Sequence, residues 1–221
     1  IGKNFVNPAL AGRAFLLGSY TSVMTTWIVP GSKLGVFGGT ADAVTAATPM
    51  KYLHAGDLEG LKEAGVTLSD MFIGLIGGSV GEVSALMLLL GGLYLIIRKV
   101  ITWHIPVAYL GTVAVLTYFF PKSGSAMEWM LYNLLGGGLM LGAFFMATDY
   151  ATSPVTHKGQ VIFGIGCGLF TVFIRYFGSY NEGVCYSIMM MNLLVALIDK
   201  AVKPTRFGVV KSGKKKEAAA K

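Results

Sequence analysis

The stretch DAVTAATP, residues 42–49, brings one carboxylate and two hydroxyls together in a chain that is otherwise oily. Asp42, Thr45 and Thr48 stand among alanines, and Pro49 closes the run. Small neighbours, Ala46 and Ala47 among them, leave the Thr48 hydroxyl open to a modifying enzyme. The same residues also make a turn: Asp and Thr bond back to nearby backbone, and proline stops a helix. By composition alone the turn is the default reading.

A second set of oxygens lies at the ends of apolar segments: Glu82, Asp149, Glu182 and Asp199. A carboxylate inside a bilayer is costly, and ion or proton handling is its functional reading. Each of these acids is within about a turn of an expected helix end, so capping is the structural alternative. Ser79-x-x-Glu82 and Ser179-x-x-Glu182 both have the spacing of a capping box. Arg13, inside the first apolar segment, either meets a carboxylate, phosphate or interface partner or snorkels to the membrane surface. His54, His104 and His157 show no paired metal-ligand spacing. Cys167 and Cys185 stand singly in apolar segments without C-x-x-C spacing, as core residues do. With no Walker loop, dinucleotide fingerprint or nucleophile elbow, neither a catalytic residue nor a metal site is assigned.

The elements that must position these groups are membrane helices. Only 13% of the 221 residues are charged and 54% are hydrophobic, against about 25% charged in a soluble domain. The mean hydropathy is +0.64. Six stretches are apolar enough to cross a bilayer: roughly 8–28, 82–98, 104–121, 127–148, 160–177 and 183–199. Residues 69–80, SDMFIGLIGGSV, are too short to cross and read as a re-entrant half-helix, capped by Ser69-Asp70 and broken at Gly77-Gly78. The chain thus divides into a first transmembrane helix (1–28), a loop (29–70), a half-helix with a five-helix bundle (71–199) and a basic tail (200–221). Eight of the 18 basic residues fall in that tail, which places it in the cytoplasm by the positive-inside bias. Six crossings then put residues 29–70 on the outer face. The lysines carry no nucleic-acid signature, because no folded module accompanies them. The first residue is Ile1 rather than methionine and the sequence shows no signal-peptide pattern, so the chain is expected to begin part-way through a longer protein.

DAVTAATP resembles the flavinylation motif Asp-x-x-Ser/Thr-x-Ala-Thr. NPALAGRAFLL (7–17), GGSVGEVSALMLLLGGLYLI (77–96), ATDYATSPVTHKGQ (147–160) and RYFGSYNEGVCYSIMMMNLLVALID (175–199) resemble, in order, successive signatures of one family. That family comprises RnfD, a membrane component of the Rnf complex, and NqrB, its counterpart in the sodium-pumping NADH:quinone reductase. The compact 29–70 loop suits the Rnf branch, and the resemblance runs to about Pro204. It implies an all-α polytopic membrane protein on a urea-transporter-like scaffold, in the inner membrane of a prokaryotic cell. It implies FMN joined by a phosphoester to Thr48, with Asp42, Thr45, Ala47 and Pro49 completing the motif that a dedicated flavin transferase reads. A second, non-covalent riboflavin is left open by the resemblance. The implied activity is electron transfer from ferredoxin to NAD, coupled to Na+ or H+ movement, alongside the other Rnf membrane subunits, another flavin-bearing subunit and membrane lipid. Glu82, Glu182 and Asp149 are the ion-handling candidates. Ala46 departs from the glycine common in the motif, so position 46 needs no backbone angle reserved to glycine. From a different class, a transporter or channel without redox chemistry would also use a broken helix; only a flavoprotein keeps a flavin through SDS.

Overall fold

A computed structural model describes residues 4–25, 27–28, 45–46, 48–78, 81–178 and 183–203. Within them the chain is helical apart from one short antiparallel ladder, in which β1 (Trp27–Ile28) pairs with β2 (Thr45–Ala46), Ile28 opposite Thr45.

The bundle is built on α7 (His104–Phe119), α10 (His157–Phe177) and α11 (Val184–Ala201). Small residues let α10 lie directly on α7. A Cβ on Gly164 would stand 2.9 Å from the Ile105 carbonyl oxygen, and one on Gly168 2.6 Å from Thr112 Cβ, the close backbone approach that packs helices in lipid. Tyr109, Thr171 and Ser187 meet inside this packing at 2.6–3.1 Å, so the three buried hydroxyls satisfy one another. α10 and α11, at 21 and 18 residues, are long and apolar enough to cross a membrane. The chain is therefore a multi-pass membrane protein. α6 (Ala85–Ile97) and α7 are apolar but shorter, at 13 and 16 residues.

Several local expectations are corrected. The first apolar segment is not one helix over 8–28: α1 (Pro8–Ser19) stops at Tyr20, α2 (Thr21–Met24) adds one turn, and Trp27 already belongs to the ladder. The segment 127–148 is not one straight helix either. α8 (Ala126–Leu135) breaks at three consecutive glycines and resumes as α9 (Leu139–Leu141) and a π-helical turn (Gly142–Met146), bent by 63°. The stretch taken as a loop up to residue 70 contains α3 (Pro49–Ala55), α4 (Leu58–Glu63) and the start of α5 (Leu68–Ile73). Met50, Leu53, Leu58, Leu61 and Met71 join Trp129 and Tyr132 of α8 in a second core. A polar average hid these contacts, because short helices bury only one or two residues per turn.

The caps also differ. α5 opens with a capping box between Thr67 and Asp70, not at Ser69, and ends at Gly74 rather than at Gly77-Gly78. The Thr67 hydroxyl and N–H hold the Asp70 carboxyl below its usual range. α6 is capped by Ser84, so Glu82 does not open it. α11 begins behind Gly183 with no side-chain cap; Ser179 and Glu182 lie outside the described residues.

Candidate functional site

Thr48 heads α3 in extended backbone (φ −64°, ψ 148°), with Pro49 in the first helical turn. That is the usual place for an N-cap threonine to bond a backbone N–H, yet the Thr48 hydroxyl makes no capping bond. It is left uncommitted and partly exposed beside buried Pro49 and Met50. An esterified hydroxyl must be free in this way, so the residues present fit a phosphoester at Thr48. Residue Thr45 is described only through its ladder pairing, and Asp42 and Ala47 lie outside the described residues.

Opposite Thr48 the chain is broken twice. The irregular run after α5, at residues 76–78, and the glycines between α8 and α9, at 136–138, line one cleft with Thr48, Pro49 and Glu82. Its cavity volume is about 20 Å³, on a scale where one water needs roughly 10–15 Å³. It has room for a water or a bare cation and is too small to enclose a three-ring flavin.

Glu82 is the cleft's carboxylate. Its Oε2 is 3.3 Å from Arg13 Nη1, with side-chain exposures of 6% and 25%. Arg13 thus finds its carboxylate, and snorkelling is not its role. The same oxygen stands 2.8 Å from where a Cβ on Gly138 would lie, so the pair closes over the second break. Asp149 is elsewhere. It follows the π turn, where it accepts the Thr152 hydroxyl at 3.0 Å, and it does not line the cleft. Glu182 lies outside the described residues. Asp199 accepts the Val155 N–H at 3.3 Å, a structural tie between the start of α10 and the end of α11.

Two cations that the sequence reading passed over secure the site. Arg175, 2% exposed, donates from Nη1 to the Asn133 carbonyl at 2.6 Å and from Nη2 to that of Gly136 at 2.9 Å. Lys122 Nζ donates to the carbonyls of His54 and Tyr176, both at 3.2 Å, and sits 4.8 Å over the Tyr176 ring. Tyr176 donates to the Phe120 carbonyl at 2.7 Å and accepts Trp129 Nε1 at 2.8 Å. Burial, and then the Lys122 charge, hold the His54 pKa below its ordinary value. A signal was available for Arg175, a guanidinium inside an apolar run, and for the break, the triplet Gly136-Gly137-Gly138. Nothing local marks Lys122. Among the described residues no cluster of three or more His, Cys, Asp or Glu is arranged to hold a metal ion.

Residues 1–208 match the sequence profile of the NQR2, RnfD, RnfE family. The chain is 48% identical, over 223 residues, to the D component of the Na(+)-translocating ferredoxin:NAD(+) oxidoreductase complex of Acetobacterium woodii, covering 100% of this chain and 64% of that protein. It is 47% identical to the D component of the proton-translocating ferredoxin:NAD(+) oxidoreductase complex of Clostridium ljungdahlii, over 94% of this chain and 62% of that protein. The D component of the ion-translocating oxidoreductase complex of Stutzerimonas stutzeri is 36% identical over 99% of the chain and 68% of its own length. The chain therefore spans slightly less than two thirds of the first two relatives.

Proposed function

The chain belongs to the NQR2, RnfD, RnfE family, and from that membership we propose that it is the RnfD-type membrane subunit of an Rnf ion-translocating ferredoxin:NAD oxidoreductase, carrying FMN on Thr48. The observation that supports the reading best is the uncapped Thr48 hydroxyl at the rim of a cleft walled by two chain breaks and a paired carboxylate. A bound flavin supplies one- and two-electron chemistry. The protein's part is to fix where that chemistry happens. Thr48 would supply the ester oxygen: its O–H bond and one P–O bond of the flavin donor break as the new P–O bond forms, and the proton leaves with the group displaced from phosphorus. Pro49 and Met50 anchor the turn in the core, Lys122 ties the far end of α3 to α10, and the cleft admits water or one cation but no larger group.

Asp42, with Thr45, Ala47 and Pro49, forms the recognition sequence for the flavin transferase. Glu82 is the ion-handling carboxylate: its partner Arg13 neutralises it, and a Na+ or H+ that replaces Arg13 would take its place at the cleft. Relatives named for sodium and for protons stand at 48% and 47% identity, so the reading covers either cation. Other subunits of the complex supply and remove the electrons. The flavin loop faces outward and the basic tail the cytoplasm, in a bundle of about six spans that counts the shorter apolar helices with α10 and α11.

The test is in-gel fluorescence after SDS denaturation of the purified complex. A fluorescent band at this subunit, lost in Thr48→Ala with the subunit still assembled, supports the reading. A dark wild-type band, or a bright Thr48→Ala band, contradicts it.

A further inference from the structure

Arg175 is 2% exposed, and electron or ion transfer as read above gives it no task. It takes the carbonyls of Asn133 and Gly136, with that of Gly137 at 3.5 Å. These belong to the end of α8, where a broken helix leaves acceptors without helical partners. Gly137 has φ +68°, a left-handed conformation that glycine adopts without strain. A Cβ there would meet Arg175 Nη2 and Met50 Cγ, each at 2.8 Å. Met50 is 1% exposed and lies two residues after Thr48. The guanidinium, the break and the turn that bears Thr48 are therefore stacked in one layer. The next residue, Tyr176, offers its carbonyl to the Lys122 ammonium that also holds His54. The last turn of α10 thus secures α3 at both ends.

Resting on the flavin reading for Thr48, we propose that Arg175 is a positioning residue for that flavin: it seats the Thr48 turn on the α8–α9 break and sets the flavin's reduction potential. The guanidinium is always charged, and a positive charge in a poorly solvated site acts more strongly than in water. A flavin held on Thr48 would gain negative charge on reduction, and a cation packed behind the Thr48 turn would favour that reduced form and raise the potential. In the complex the electron comes from a reduced carrier of the iron–sulfur or flavin class; in a titration it comes from the electrode through a mediator.

The experiment is a spectroelectrochemical titration of the flavin in the assembled complex, after SDS-stable flavin has been verified for each variant. Arg175→Gln removes the charge and keeps polar contact. It is expected to retain the flavin and disfavour its reduction at least tenfold, a shift of about 59 mV to lower potential for one electron. Arg175→Lys keeps the charge without the two-pronged geometry and is expected to stay within tenfold of wild type. Met50→Ala leaves the charge and loosens the seat, so the flavin stays attached while its fluorescence anisotropy in the native complex falls. A wild-type potential in assembled Arg175→Gln, a shift in Arg175→Lys as large as in Arg175→Gln, or unchanged anisotropy in Met50→Ala would each overturn the proposal. Should Arg175→Gln fail to assemble, the other two variants decide: a tenfold shift in Arg175→Lys or wild-type anisotropy in Met50→Ala overturns it. A wild-type complex without SDS-stable flavin is a different result, since it removes the flavin reading and leaves the packing of Arg175 as it stands.

Discussion

Thr45 and Thr48 carry the same hydroxyl three residues apart, and their backbone positions separate them. Residue 45 is taken up by the ladder with Ile28, whereas Thr48 sits uncapped at the cleft. Thr45→Ala is accordingly expected to keep covalent flavin, perceptible as an unchanged fluorescent band, while Thr48→Ala loses it. Glu82 gives the second prediction at this scale. Glu82→Gln preserves size and a hydrogen bond to Arg13 but removes the charge, so flavin attachment should persist while ion-dependent electron transfer in vesicles falls. Normal coupling in that variant would make the pair a structural clasp. His54 gives the third. Its folded pKa lies below the unfolded value of 6.5, so the unfolded chain takes up the proton first as pH falls. Stability is thus full above about pH 6.5 and is lost below it, toward the depressed folded pKa. The thermal midpoint should drop between about pH 7.5 and pH 5.5, and His54→Gln should flatten that drop. At this scale the sequence was informative where a residue's own chemistry is distinctive, as with Thr48 and the carboxylate demanded by Arg13. It was silent on Lys122, whose partners are two carbonyls 54 and 68 residues away.

The elements that matter most are the two breaks. Gly77-Gly78 suggested the first one, and α5 does end early, at Gly74, because its capping box and left-handed C-cap fix a six-residue helix. The second is marked only by its glycine triplet: apolar residues flank Gly136-Gly137-Gly138 on both sides, and hydropathy alone reads straight across them. What opens the helix there is tertiary, the Arg175 guanidinium drawing carbonyls that α8 would otherwise leave unmatched. Gly137→Ala should therefore be costly. The positive φ and the crowding by Met50 and Arg175 together point to a loss of about 1–3 kcal/mol, measurable as a lower thermal midpoint. Gly111, with open space around it, serves as the control, and Gly111→Ala should be neutral or slightly stabilising in its helix. The caps of α5 and α6 were misplaced by two and five residues for a simple reason. Several Ser, Thr and acidic residues crowd each junction, and only the packed core decides which of them meets a free N–H.

At the scale of the whole molecule, the long helices were legible because apolar length is a property of the sequence itself. The second core, which joins α3, α4 and α5 to α8, was not, because it depends on contacts between segments 50–80 residues apart. Sidedness follows from charge, and it predicts that single cysteines at Ser32 and Ser212, in a cysteine-free background, react with an impermeant maleimide from opposite faces. Labelling of both from one face would mean that an odd number of crossings has been miscounted. The roles proposed for the cleft, the paired Glu82 and the buried Arg175 all depend on one chemical bond, that between Thr48 and a flavin phosphate. Intact mass spectrometry of the purified protein tests that bond most directly. The predicted result is a wild-type mass exceeding the sequence by one FMN less one water, with fragmentation placing the addition on Thr48 and Thr48→Ala returning to the sequence mass. A wild-type protein of unmodified mass, or an addition that survives in Thr48→Ala, would contradict it.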